Sequence, residues 1–178
     1  MGVTHTHVLS YDGGVFTREM GPGRDISVFA DTLRRFNGIK PWALTLIPLP
    51  DGMEYADMLA TKRETTEYLQ AGGSADAMTV QIRKPGGQRW GVDSVWYVVG
   101  HPHDGDLPLD VAIHLPTSDD MVNTAEVFNA DEAADLFFTY YTTGDIPSSY
   151  TLRPINGWTA DGTRVDLRKT AACVERDG

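Results

Sequence analysis

Alternation of apolar and polar residues in the middle of the chain commits it to a sheet-based fold. Met78, Val80 and Ile82 alternate with Thr79, Gln81 and Arg83, the two-residue period of a strand with one buried face. Val95-Trp96-Tyr97-Val98-Val99 is apolar throughout and reads as a central strand buried on both faces. Lys84-Pro85-Gly86-Gly87, between the two runs, supplies a turn, so adjacent strands are expected to pair antiparallel. A third run places Leu107, Leu109, Val111, Ile113 and Leu115 on one side and Pro108, Asp110, Ala112 and His114 on the other. It predicts a half-buried strand over 107–115. Weaker strand signals lie at Val3 to Leu9, Trp42 to Leu49 and Ser149 to Ile155, with a hairpin around Asp161-Gly162.

Two helices are marked by their ends. Asp25 precedes Ile26, Phe29, Ala30, Leu33 and Phe36 at helical spacing, and Gly38 follows as a stop. Asn129 is followed three residues later by Glu132, a variant capping box ahead of the stripe Ala133, Leu136, Phe137, Tyr140 and Tyr141, with Gly144 as terminator. Asp131 and Glu132 then sit in the first turn, where the helix dipole favours negative charge. A third helix is predicted from about Tyr55 to Gln70, with Met58, Leu59, Thr66 and Leu69 inward. The expected class is α+β: a single domain over 1–168, an antiparallel meander with two or three helices packed on one face, then a flexible tail over 169–178. A length of 178 residues without repeats or a Pro- or Ser-rich linker fits one domain.

Charge narrows the function. The chain has 25 acidic and 15 basic residues, a formal net of -10, which argues against sequence-independent binding of nucleic acid. No Lys or Arg occurs between Arg89 and Arg153, a segment holding eleven acids. Asp131 and Glu132 are accounted for by the capped helix. Of the other nine, Asp93, Asp104, Asp106, Asp110, Asp119, Asp120 and Glu126 precede the helix and form a candidate acidic face for a basic partner. Trp90, beside Gly91 and outside any periodic run, is the aromatic expected to be exposed and to serve as an anchor there.

Catalytic templates are largely missing. The glycine pairs Gly72-Gly73 and Gly86-Gly87 lead into no phosphate-loop Lys, and neither a Gly-x-Ser-x-Gly elbow nor His-Glu-x-x-His occurs. Asp104, Asp106 and Asp110 start like a calcium loop, yet Leu109 and Leu115 stand where its glycine and glutamate belong. His5-x-His7 and His101-x-His103 each space two imidazoles along an extended segment. A metal-dependent enzyme built on His101, His103, an aspartate and His114 is the alternative reading. No cofactor is expected under the main one. A lone Cys173 and the absence of a basic start followed by an apolar stretch suggest a cytoplasmic protein with no membrane span.

The stretch Glu126-Val127-Phe128-Asn129-Ala130-Asp131-Glu132-Ala133-Ala134-Asp135-Leu136-Phe137-Phe138, then Thr143-Gly144-Asp145-Ile146-Pro147 and Tyr150 to Trp158, resembles the C-terminal part of the first-numbered immunity-protein family of bacterial polymorphic toxin systems. Such proteins are often encoded beside nucleic-acid deaminase toxins. The resemblance covers about a fifth of the chain and implies a non-enzymatic inhibitor that occludes a co-encoded toxin domain. No catalytic residue transfers. A generic protein-interaction module, with no toxin involved, would carry the same acidic face.

Overall fold

The fold was read from a computed structural model, which describes residues 4–61 and 66–169. In chain order the elements are β1 (His7–Tyr11), β2 (Phe16–Met20), α1 (Ser27–Leu33), β3 (Ala43–Pro48), α2 (Tyr55–Ala60), β4 (Tyr68–Ser74) and β5 (Ala77–Pro85). There follow β6 (Ser94–Gly100), β7 (Val111–His114), β8 (Asp119–Val122), α3 (Ala130–Thr143), β9 (Thr151–Trp158) and β10 (Arg164–Asp166). Eight strands form one antiparallel sheet in the order β10-β9-β6-β5-β4-β3-β1-β2, and β7 and β8 pair separately. The domain is α+β, and the predicted meander is its centre: β3, β4, β5 and β6 are sequential neighbours. β9 then returns to pair with β6 after the excursion through β7, β8 and α3.

Successive side chains on a strand point to opposite faces, and the burial of neighbouring residues separates the two sides of this sheet. Leu9, Leu46, Leu69, Val80, Ile82 and Val99 share the main core with Phe29 and Leu33 of α1 and Leu136, Phe137 and Tyr140 of α3. Phe29 sits 5.8 Å from Phe137 and 5.7 Å from Tyr141 between ring centroids. On the reverse face Val8 packs with Leu49 and Met58 of α2, while Val98 packs with Ile113 and Val122 of the β7–β8 hairpin. Two helices therefore cover one face, and the short α2 and a hairpin cover parts of the other. α3 follows its predicted signals: Asn129 Oδ1 accepts from the Glu132 N–H, Glu132 answers to the Asn129 N–H, and Gly144 ends the helix at a φ of 83°.

Burial on the reverse face changes several expectations. Every residue of β5 from Met78 to Arg83 is buried, so Thr79, Gln81 and Arg83 are covered as well. Arg83 donates to Ser94 Oγ at 3.2 Å and its guanidinium lies 3.7 Å from the centroid of a Trp158 ring. Gln81 Oε1 accepts from Gln70 at 2.6 Å. The strand over 107–115 shrinks to Val111–His114, because β8 is its only partner and Pro108 has no N–H to give a ladder. Leu109 is left 46% exposed. The helix expected from Tyr55 ends at Ala60, with Met58 inward but Leu59 exposed; Leu69 belongs to β4, and Lys62-Arg63-Glu64 lies outside the described residues. Within β4, Gly73 has a φ of +132°, and a Cβ there would stand 2.6 Å from the Ala77 carbonyl oxygen. Any side chain at this position is strained against the β4–β5 turn.

Candidate functional site

The connection from β6 to β7 and the turns before β6 and α3 frame a cleft of about 320 Å³ beside β9. Trp90, His103, Asp106, Leu109, Glu126, Arg153 and Arg168 are among its lining residues. A second cleft of about 350 Å³ is lined by Gln81, Trp96, Asp119, Asp120 and Met121 together with Leu109, Arg153 and Arg168. Those three shared residues make the two clefts neighbours, together called the groove below. Leu109 and Met121 are its exposed apolar residues, at 46% and 49%.

Of the residues singled out from sequence, the fold brings Trp90, Asp106 and Glu126 to the first cleft and Asp119 and Asp120 to the second. Asp93, Asp104 and Asp110 are exposed but line neither. Trp90 is not the exposed anchor expected. It is half-buried in a 3-10 turn, packs with Val92, Val95 and Leu167, and is covered by Arg89, whose guanidinium lies 4.0 Å from the centroid of its ring.

Glu126 also departs from expectation: its side chain is 2% exposed and faces inward. One reason is local. Asn123 and Glu126 form a reciprocal capping box around a 3-10 turn, with Asn123 Oδ1 accepting the Glu126 N–H at 3.1 Å and Glu126 accepting the Asn123 N–H at 3.0 Å. The other reason is tertiary: Arg153 reaches across from β9 and donates to both carboxylate oxygens. The Asn-x-x-Glu signature that marks α3 thus occurs one step earlier too. It is the sequence signal for the structural role of Glu126.

The charge asymmetry is altered by folding. The segment lacking Lys and Arg is laid against cations from outside it: Arg153 holds Glu126, Arg34 pairs with Asp131, and Lys84 pairs with Asp145. Arg89 and Arg168 join Arg153 in the lining of the first cleft. Asp93, Asp104, Asp106 and Asp110 have no ion-pair partner among the described residues. Asp119 accepts from His114 at 2.9 Å. Asp120 is half-buried, and the loss of solvent raises its carboxyl above the ordinary range, against an opposing hydrogen bond from Gln81. Unpaired carboxylates therefore lie at Asp106 in the first cleft and, outside both clefts, at Asp93, Asp104 and Asp110.

The histidines named as metal ligands do not converge. His101 uses both ring nitrogens, against the Ala125 carbonyl at 2.7 Å and Glu132 at 2.5 Å, and stacks on Phe128 at 4.3 Å. His114 is taken by Asp119, and His103 forms part of the cleft wall. Among the described residues, the one cluster of metal-ligating side chains close enough to share an ion is His5, Glu19 and Glu54, at the far edge of the sheet. Cys173 lies outside the described residues.

Compared with known proteins, the chain matches no family model, no curated protein and no solved structure. Among the described residues, no helix is long and apolar enough to cross a membrane.

Proposed function

We propose that this chain is an immunity-type protein: a non-enzymatic inhibitor that binds a co-encoded, basic, nucleic-acid-acting toxin domain in the cytoplasm and occludes its substrate channel. The observation that carries this reading is the groove, where exposed Leu109 and Met121 lie beside the carboxylates of Asp106 and Asp119. Exposed apolar side chains flanked by charged residues are what a protein interface is built from. A toxin acting on nucleic acid needs a cationic channel, and carboxylates offered to that channel accelerate association. The resemblance of the α3 and β9 region to the immunity family supplies the kind of partner.

The partner to test is a basic domain encoded immediately upstream. The purified chain should form a complex with it and abolish its nuclease or deaminase activity. Leu109→Asp combined with Met121→Asp should raise the dissociation rate at least about tenfold, as expected when a central apolar contact is lost. Inhibition unaffected by that pair would remove the groove from the interface, and no binding to the neighbouring domain would overturn the reading.

A further inference from the structure

His5, Glu19 and Glu54 come from three separate pieces of chain: the segment leading into β1, strand β2, and the residue that starts α2. Their ligand atoms all lie within 4.8 Å of one another. His5 Nδ1 stands 2.7 Å from Glu54 Oε2 and 3.5 Å from Glu19 Oε2.

Glu19 is oriented from behind and the Glu54 backbone is held in place. Glu19 uses its other oxygen to accept the Tyr55 N–H at 3.3 Å. The backbone of Glu54 is held at the start of α2 by Asp57, whose side chain accepts the Glu54 N–H at 3.0 Å, and the Glu54 carbonyl accepts the Asp57 N–H at 3.0 Å. Such outer contacts are what hold metal ligands in place. The charge balance also favours an ion. Two converging carboxylates carry two negative charges; an imidazolium cancels one, whereas a divalent cation bound to neutral imidazole cancels both. His7, two residues on, packs edge-on against Tyr141 at 4.9 Å and does not belong to the set.

We propose that His5, Glu19 and Glu54 bind one divalent transition-metal ion of the zinc class and thereby clip the start of α2 to the β1–β2 edge of the sheet. One imidazole and two carboxylates suit zinc better than magnesium, which prefers an all-oxygen octahedron with several waters. The three side chains are 26%, 35% and 45% exposed, so the remaining coordination position opens to solvent. This site is separate from the groove and does not depend on its function.

Titration calorimetry of the untagged full chain with zinc chloride tests the proposal, alongside thermal unfolding with and without zinc. One ion per chain and a rise in Tm are expected, with magnesium chloride giving neither. Glu19→Gln with Glu54→Gln keeps the shape and removes the charge, and should weaken zinc binding at least about tenfold. If that variant does not fold, His5→Gln provides the same comparison. Absence of one-to-one binding, equal binding of magnesium, or unchanged zinc affinity in the folded variant would each overturn the site.

Discussion

Arg153 grips Glu126 through two parallel hydrogen bonds, Nε to Oε2 at 2.8 Å and Nη2 to Oε1 at 3.0 Å. The pair ties β9 to the turn that precedes α3 and forms part of the wall of the groove. Removing one partner of a buried pair leaves the other charge uncompensated. Glu126→Ala also deprives the Asn123 N–H of its acceptor. Because Arg153 keeps 25% of its side-chain exposure, the cost should fall at the low end of the range for such pairs, about 3 kcal/mol. Urea unfolding measures it, and a loss below about 1 kcal/mol would show that the pair does not anchor the fold.

Asn129 caps the helix whose first turn presents Glu132 to His101. Asn129→Ala removes the acceptor for the Glu132 N–H and should cost about 1 kcal/mol in the same experiment. Asn129→Asp retains an acceptor and should be near neutral. Equal losses in the two variants would assign the effect to packing instead of capping.

Asp120 gives the protein a pH dependence of definite sign. Burial raises its carboxyl above the ordinary value of 3.8, so the folded state holds this proton more tightly than the unfolded state. Its contribution to stability is therefore greatest in acid and declines as pH rises through the raised folded value. Asp120→Asn, which cannot ionise, should raise Tm at neutral pH and flatten this part of the profile. A Tm lower than that of the parent at pH 7 would contradict the desolvation argument.

Asp104, Asp106 and Asp110 are exposed and have no ion pair among the described residues. Reversing all three to Lys should leave unfolding nearly unchanged. With a basic partner, the same change should slow association and weaken its salt dependence, since these carboxylates steer the encounter. Stopped-flow kinetics identical to the parent would exclude the loop from the interface.

How much of this was legible beforehand depends on the range of the interactions. The capped helix at Asn129, the paired strands around Met78 to Ile82 and Val95 to Val99, and the late hairpin at Asp161-Gly162 follow signals a few residues long. Expectations failed where distant segments settled the matter. Trp90 is covered by Arg89 and packs with Leu167, and Glu126 turns inward to meet Arg153. Leu109 looked inward by alternation but is exposed, because no neighbouring strand extends along it. In the candidate site, the acidic residues were visible in the sequence, whereas the arginines that line the same clefts were not.

By itself the sequence determined an antiparallel α+β domain, because periodicity and capping act over one turn of helix or one strand and need no knowledge of the rest of the chain. Only the tertiary structure decided which charges are free. It folds an acid-rich segment onto arginines from both sides of it and gathers His5, Glu19 and Glu54 from three elements. Burial and charge pairing are properties of neighbours in space, and those neighbours are far apart along this chain.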